Sequence, residues 1–175
     1  MWDKFIPSMV VASAYDLDLD GLQSQGIRSL YFDLDNTLTT YAHETPPPPL
    51  QEFVASLKQR GFDVYIVSNS NNKRVKPFLD ALDVKGTGSC KKPFPRVIEA
   101  LLPRDKNTAV LIGDQLLTDV LVANRLGIKS ILVQPIDATT DHFFTRLNRK
   151  VERFVARKIK QHHPVKYELI KARYE

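Results

Sequence analysis

The chain has 175 residues, 43% of them hydrophobic, and carries a formal net charge of +5 at pH 7. This length and composition fit one domain with a full hydrophobic core. They exclude a membrane-spanning helix, because no apolar run approaches the roughly 18 residues that such a helix needs. Cys90 is the only cysteine, which excludes an internal disulfide, and the N-terminus lacks the pattern of a signal peptide. A cytoplasmic or equivalent reducing compartment is therefore expected.

Positive charge is concentrated at the C-terminal end of the chain. Residues 142–175 hold ten Lys or Arg and three Asp or Glu, a net charge of +7, whereas residues 1–141 have a net charge of −2. A one-sided excess of this kind predicts that the basic end contacts a polyanionic surface, either lipid or nucleic acid.

Short β-rich runs recur along the body of the chain. They are four to seven residues long, and three of them are nearly continuous apolar runs, which is typical of strands covered on both faces. Strands are predicted at 28–33, 63–68, 108–113 and 129–133, with a weaker one at 85–89.

Helical periodicity fills the gaps between these runs. Apolar stripes at helical spacing begin at Leu50, Val75 and Val97, and a fourth helix is predicted at 116–126, where Gly127 ends it. The alternation predicts a three-layer α/β domain, with a parallel sheet between two layers of helices and a core at about residues 26–135. In such sheets, catalytic and ligand-binding residues lie at the C-terminal ends of the strands.

The first predicted strand ends in two carboxylates, in the run Asp33-Leu34-Asp35-Asn36-Thr37. Like charges this close repel each other, and partial burial raises the cost unless a cation compensates. A hard divalent ion such as Mg²⁺, which prefers oxygen ligands, meets that need. The alternative is an Asx-type turn in which these side chains serve only the backbone. The pentapeptide alone leaves both interpretations open.

A second acidic pair follows the third strong strand. Gly113 permits a close backbone approach, and Asp114 directly after it is placed to complete a metal site with Asp33 and Asp35. Asp119 follows five residues after Asp114. Here the alternative is a strand-to-helix turn in which Asp114 caps the next helix.

Polar side chains also follow two further strands. Ser68 and Asn69 supply a hydroxyl and an amide at the end of the second strand, and Lys91 and Lys92 precede Pro93 after the weak strand. Taken singly, a serine here is more simply structural and a lysine more simply solvated. Their position at the same edge as the carboxylates is what makes them candidates for a site.

In order and spacing these segments resemble the four motifs of the haloacid dehalogenase-like (HAD) phosphatase superfamily, subfamily IIIA. The similarity extends over about residues 29–133 and includes Asp33-x-Asp35-x-Thr37, Ser68-Asn69, Lys92-Pro93 and Gly113-Asp114-x-x-x-x-Asp119. The resemblance implies a Rossmann-like HAD fold and a Mg²⁺-dependent phosphatase that forms a phospho-aspartate intermediate.

The family pattern implies a role for each matching residue in the phosphoryl transfer. Asp33 would be the nucleophile, and Asp35 the general acid and then the general base. Ser68, with Asn69 nearby, would bind the phosphoryl oxygens. Lys92 would neutralise the charges of nucleophile and phosphate.

The resemblance also implies a metal site. Its Mg²⁺ ligands would be Asp33, the backbone carbonyl of Asp35, and Asp114. Asp119 would orient the groups around the metal without binding it directly. Lys91 is the alternative to the lysine directly before the proline.

The implied acid at Asp35 narrows the reaction class. An alkoxide leaving group needs a proton and a halide does not, so hydrolysis of a phosphate ester is favoured over dehalogenation. Segments 39–49 and 70–91 are too short for an inserted cap domain. An open site of this kind suits a large substrate presented on a surface, or a cap supplied by another chain.

The basic C-terminal segment predicts an amphipathic helix at about 140–162. It either packs on the core with a solvated basic face, or lies on a membrane surface, or binds nucleic acid or a protein. Its apolar residues are Phe144, Leu147, Val151, Phe154, Val155 and Ile159. A smaller apolar face at the N-terminus, either core or an interfacial anchor, comprises Trp2, Phe5, Ile6, Met9 and Val10.

The run Gly113-Asp114-Gln115-Leu116 and the capless length resemble the phosphatidylglycerophosphate phosphatase branch of the superfamily. The resemblance implies hydrolysis of phosphatidylglycerophosphate, an anionic phospholipid at a membrane surface, to phosphatidylglycerol. One alternative is a soluble HAD phosphatase acting on nucleotides, sugar phosphates or phosphoprotein. Another is a nucleic-acid- or ribosome-associated binding module on the same fold. The complete set of catalytic residues argues against this binding module, so nucleic acid is not the expected partner, and the sequence predicts no oligomeric state.

Overall fold

A six-stranded parallel sheet forms the centre of the computed structural model, which describes residues 2–137, 139 and 143–175. The strand order is β1-β6-β5-β2-β3-β4, and every neighbouring pair is parallel. The strands are Met9–Val11 (β1), Ser29–Phe32 (β2), Asp63–Val67 (β3), Lys85–Thr87 (β4), Ala109–Gly113 (β5) and Lys129–Val133 (β6). The five predicted strands are therefore present, including the weak one.

Helices connect the strands and continue beyond the sheet. They are Leu19–Ser24 (α1), Pro48–Gln59 (α2), Asn72–Leu82 (α3), Arg96–Glu99 (α4), Leu121–Leu126 (α5), Phe143–His162 (α6), Pro164–Tyr167 (α7) and Lys171–Tyr174 (α8). The helix predicted at 116–126 is divided, because a π-helical turn at Leu116–Val120 precedes α5. Short 3₁₀ turns lie at Trp2–Phe5, Ala14–Asp16 and Lys106–Thr108.

Local chemistry sets the ends of the longer helices. Prolines occupy the first turn of α2, where the missing N–H would have no helical partner. The Asn71 side chain caps α3 by accepting from the backbone N–H of Arg74 at 2.9 Å. Gly127 ends α5 with φ at 73°, a left-handed conformation that glycine adopts without steric penalty.

Helices cover both faces of the sheet, which confirms the three-layer architecture. Leu30 and Phe32 of β2 pack in a cluster with apolar residues of α1, α2 and α3. Tyr31, which points to the other face, packs with residues of α4 and α5. Because both faces are buried, the strands are apolar nearly throughout.

The two ends of the chain meet in a third apolar cluster. Ile6 packs there with Val155 and Ile159 of α6, and with Tyr167 and Ile170 further along. The N-terminal apolar face is thus partly core, and residues 9–11 form an edge strand paired with β6. No strand was predicted there, because three residues are too few to display a period. The side chain of Phe144 lies outside the described residues.

No extra domain is inserted around the C-terminal edge of the sheet. The chain passes from β2 to α2 through a loop at 33–47, and from β3 to β4 through α3 alone, and both segments are described throughout. Among the described residues, none of the helices combines the length and the apolar character needed to cross a bilayer.

Candidate active site

The C-terminal ends of β2 and β3 open onto one cavity of about 210 Å³. Five residues predicted from the sequence line it, together with six that were not predicted. The predicted ones are Asp33, Asp35, Ser68, Asn69 and Lys92, and the others are Tyr41, Ser70, Gln115, Thr118, Thr145 and Asn148. Asp114 and Asp119 are buried beside Asp33. All seven predicted site residues therefore lie at one edge of the sheet.

Three buried carboxylates form the centre of the site. One oxygen from each of Asp33, Asp114 and Asp119 lies within 4.8 Å of the other two. Burial raises the pKa of Asp33 well above its usual value, and the charges of Asp119 and Asp114 add to this effect while Lys92 opposes it. A group of this kind requires positive charge.

Lys92 supplies part of that charge. Its Nζ donates to Asp33 Oδ1 and to Asp119 Oδ1, both at 2.6 Å, and to the carbonyl of Val67 at 3.0 Å. Burial by itself would lower the pKa of Lys92, but the two carboxylates outweigh it and raise the pKa. Lys91, the alternative left open by the sequence, is exposed. The lysine in the site is therefore Lys92.

Asp114 has the properties expected of a metal ligand. It is fully buried, and its Oδ2 accepts from Arg149 Nη2 at 2.7 Å. Its Oδ1 is buried without a hydrogen-bond partner among the described residues. Burial, and next to it the charge of Asp119, raises the pKa of Asp114 to about 6. A buried orphan oxygen beside two further carboxylates fits a hard divalent cation such as Mg²⁺.

Asp119 is held on both of its oxygens. Besides the bond from Lys92 to Oδ1, its Oδ2 accepts from the backbone N–H of Gln115 at 3.1 Å and from Thr118 Oγ1 at 3.3 Å. Gly113 makes room for this arrangement, because a Cβ at that position would lie 2.2 Å from Asp119 Cγ. The role predicted for Asp119, orienting its neighbours, is compatible with these contacts.

Asp35 lines the cavity but is not part of the group of three carboxylates, and other residues hold its side chain. Its Oδ1 accepts from Arg74 Nη2 at 2.8 Å and Nε at 3.2 Å, and its Oδ2 accepts from Ser70 Oγ at 2.6 Å. Arg74 also donates to the backbone carbonyls of Thr40 and His43. The side chain of Asp35 is thus not grouped with Asp33, Asp114 and Asp119, and the role of its carbonyl as a metal ligand stays a prediction.

Ser68 and Asn69 differ in their surroundings. Ser68 Oγ accepts from the backbone N–H of Ser70 at 3.0 Å and faces the cavity. Asn69 uses both ends of its amide on the backbone of Lys92, accepting from N–H at 2.6 Å and donating to the carbonyl at 3.1 Å. Asn69 therefore positions Lys92, while its predicted contact with phosphate stays a prediction.

The C-terminal helices complete the site from the outside. Thr145 and Asn148 of α6 line the cavity, and one turn further along, Glu152 Oε1 accepts from the backbone N–H of Leu117 at 3.2 Å. Burial raises the pKa of Glu152 to about 7. Arg173 of α8 donates to the backbone carbonyl of Asp114. None of these residues was predicted, because no short motif marks them.

Cys90 takes no part in the site. It is fully buried, and burial raises the pKa of its thiol to about 11, so the thiolate is scarce at neutral pH. These surroundings favour a structural role for this cysteine.

Two family models match parts of the chain. One, described as HAD-hydrolase-like, matches residues 89–142, and one described as mitochondrial PGP phosphatase matches residues 2–80. Together they cover all four motifs identified in the sequence.

Curated relatives carry phosphatase names. The probable phosphatase YqeG of Bacillus subtilis (strain 168) is 35% identical over 167 residues, which is 94% of this chain and 96% of the relative. The chloroplastic phosphatidylglycerophosphate phosphatase 1 of Chlamydomonas reinhardtii is 27% identical over 85% of this chain. The chloroplastic/mitochondrial enzyme of the same name from Arabidopsis thaliana is 24% identical over 84%. The matches span 60% and 46% of the lengths of these two plant and algal proteins.

Solved structures support the fold. A protein from Listeria monocytogenes serotype 4b superposes with a TM-score of 0.51 at 23% identity, over 62% of this chain and 79% of the other. DsGPDH of Dunaliella salina gives a TM-score of 0.50 at 20% identity, over 75% of this chain and 29% of the other. At these identities, the likeness concerns the architecture alone.

Proposed function

The chain belongs to the haloacid dehalogenase-like phosphatases, and on that premise we propose that it is a Mg²⁺-dependent hydrolase of phosphatidylglycerophosphate. The observation that carries the proposal is the buried group formed by Asp33, Asp114, Asp119 and Lys92, of which Asp33 and Lys92 line an open cavity. The match to the PGP phosphatase model and the names of the two plant and algal relatives support the choice of substrate.

Asp33 is the proposed nucleophile. Its carboxylate attacks the phosphorus in line, the bond from phosphorus to the leaving oxygen breaks, and a phospho-aspartate forms. Lys92 orients the attacking carboxylate through the 2.6 Å bond to Oδ1 and offsets its charge. The hydroxyl of Ser68 faces the same cavity and is the proposed donor to the phosphoryl oxygens.

Asp35 is the proposed acid and base. It protonates the leaving glycerol oxygen, then takes a proton from the water that attacks the phospho-aspartate and releases inorganic phosphate. Arg74 and Ser70 hold the carboxylate in place for both steps. This second step restores Asp33.

Asp33, the backbone carbonyl of Asp35, and Asp114 are the residues that would hold Mg²⁺. Bound there, the ion supplies positive charge against the carboxylates and the phosphoryl oxygens. Asp119 would orient the groups around the ion without binding it, since Lys92, Gln115 and Thr118 already engage both of its oxygens.

The substrate also places the enzyme at a surface. Phosphatidylglycerophosphate presents its terminal phosphate at the face of a bilayer, and a cavity without an inserted domain over it is open to such a substrate. We therefore propose peripheral association with a membrane during turnover.

Asp33→Asn tests the enzyme mechanism. Phosphate release from p-nitrophenyl phosphate and from detergent-dispersed phosphatidylglycerophosphate should fall more than about a thousandfold, with an unchanged circular dichroism spectrum. Asp63→Asn, at the exposed start of β3 and the opposite edge of the sheet, is the matched control and should retain full activity.

Three results would contradict the proposal. Full turnover by Asp33→Asn, or by the wild type after chelation of divalent ions, would contradict the proposed mechanism. Turnover of soluble esters with no phosphate release from the lipid would contradict the proposed substrate and leave the phosphatase activity standing.

A further inference from the structure

The long helix α6 has two apolar faces. The inner one packs on the core through Val155 and Ile159, which are at most 3% exposed. The outer one consists of Leu147, Val151 and Phe154, spaced four and three residues apart, and their exposed fractions are 48%, 43% and 51%. We call these three residues the outer strip. The Phe154 ring contacts Trp2 edge to face, with ring centroids 6.2 Å apart, yet about half of each strip side chain stays exposed. Packing on the core therefore does not account for the outer strip.

Basic side chains border the outer strip. Lys150, Arg153 and Arg157 are exposed on α6, and Lys158 Nζ lies 5.6 Å from the centre of the Phe154 ring. Glu152 is the only acidic residue of the helix, and it is 1% exposed. The surface around the strip therefore combines insertable apolar groups with positive charge, and its acidic residue is turned inward.

This combination selects among possible occupants. A nucleic acid would engage the basic residues but would gain little from a leucine and a valine between them. A second copy of the chain would bring two sets of like charges against each other. An anionic bilayer accommodates both features, because apolar side chains enter the acyl boundary while lysine and arginine meet the head groups.

The outer strip lies next to the cavity along the same helix. Asn148 lines the cavity and is adjacent to Leu147, the first residue of the strip. At about 1.5 Å per residue, Phe154 lies roughly 10 Å further along the helix. A surface that contacts the strip is thus within about two helical turns of Asn148, which lines the cavity.

We infer that the outer strip docks the chain onto an anionic bilayer, with the cavity beside a phosphomonoester head group of that leaflet. The inference rests on the proposed lipid substrate for its purpose, but docking itself does not require turnover. Binding and catalysis can therefore be measured separately.

The test is sedimentation with phosphatidylcholine vesicles that contain or lack phosphatidylglycerol. The wild type should bind the anionic vesicles, and added salt should weaken binding. The double variant Val151→Glu/Phe154→Glu should lose binding by at least about tenfold, because two inserting side chains become charged. Val165→Glu is the matched control, an equally apolar residue of α7 that is 85% exposed and outside the strip. Both variants should turn over p-nitrophenyl phosphate at the wild-type rate.

Several outcomes would overturn the docking surface. These are no binding of anionic vesicles by the wild type, equal binding by the double variant, or equal losses in the double variant and in Val165→Glu. The wild type could instead bind RNA or self-associate without binding vesicles. If the double variant abolished that interaction, the strip would be assigned to RNA or to a second copy of the chain. If vesicles bind through the strip but the lipid phosphate is not released, docking stands and the proposed substrate fails.

Discussion

At the scale of single residues, the site depends on how buried charges compensate one another. Lys92 lies between Asp33 and Asp119, and all three side chains are at most 9% exposed. Removing one partner from such a group leaves an uncompensated charge in a medium that solvates it poorly. The same lysine therefore serves both the stability of the fold and the proposed reaction.

Lys92→Met should show both effects. We expect the free energy of unfolding to fall by about 3–5 kcal/mol without divalent ions, and phosphatase activity to fall at least about a hundredfold. Added Mg²⁺ should restore part of the stability, because it offsets the same carboxylates. Urea unfolding with and without Mg²⁺ measures the first effect, and phosphate release the second.

Lys91→Met is the control for that variant, since the neighbouring lysine is exposed and has the same length. It should change stability by less than about 0.5 kcal/mol and leave turnover unaltered. Equal losses in the two variants would show that the buried lysine has no special role.

At the scale of elements, α3 controls the environment of the proposed acid and base. Arg74 sits in its first turn, which Asn71 caps, and its guanidinium reaches Asp35 and the carbonyl of Thr40. One helix thus joins the loop after β2 to the catalytic carboxylate. Arg74 does not line the cavity, so we interpret it as a positioning residue.

Arg74→Met should lower kcat for a soluble ester by about 10- to 100-fold while KM changes little, because Asp35 loses its orientation but the phosphate keeps its partners. The kcat of Arg74→Lys should lie between those of the wild type and Arg74→Met, since lysine keeps the charge and loses the paired hydrogen bonds. Steady-state kinetics measure both constants.

Lys73→Met, one residue earlier on the exposed side of α3, is the control and should behave as the wild type. A rise in KM at constant kcat for Arg74→Met would show instead that the arginine binds substrate directly.

At the scale of the whole molecule, the C-terminal helices connect the catalytic edge of the sheet to the core and to the N-terminus. Arg173, close to the C-terminus, donates to the carbonyls of Asp114 and Val133. Ile170 is 1% exposed in the cluster that also contains residues of α6 and the N-terminal Ile6. Deleting the basic segment would therefore remove buried core residues as well as positive charge. Point substitutions are thus a better test than truncation for deciding whether the protein is an enzyme or a binding module.

Ile170→Ala should lower the free energy of unfolding by about 2–5 kcal/mol through loss of buried contacts and the cavity left behind. The adjacent Leu169, which is 47% exposed, provides the matched control, and Leu169→Ala should cost less than about 1 kcal/mol. Urea denaturation measures both. A small and equal loss of stability in Ile170→Ala and Leu169→Ala would mean that the C-terminal segment does not contribute to the folding of the domain.

The sequence by itself determined the layered architecture and the composition of the site. Apolar runs and helical stripes are local properties, so they could be read without knowing what packs on what. Parallel strands then place their C-terminal ends at one edge, which is why residues as far apart as Asp33, Ser68 and Asp114 were expected together. The family pattern added their proposed roles.

Tertiary structure decided what periodicity leaves open. It placed Lys92 and not Lys91 in the site, and it added a sixth strand at residues 9–11. It also brought three arginines to the site: Arg74 contacts Asp35, Arg149 contacts the carboxylate of Asp114, and Arg173 contacts the backbone carbonyl of Asp114. It also divided the apolar residues of α6 between the core and the surface. Each of these outcomes depends on which face of an element meets a distant part of the chain, and the energies that choose that face come from packing between segments and not from either segment alone.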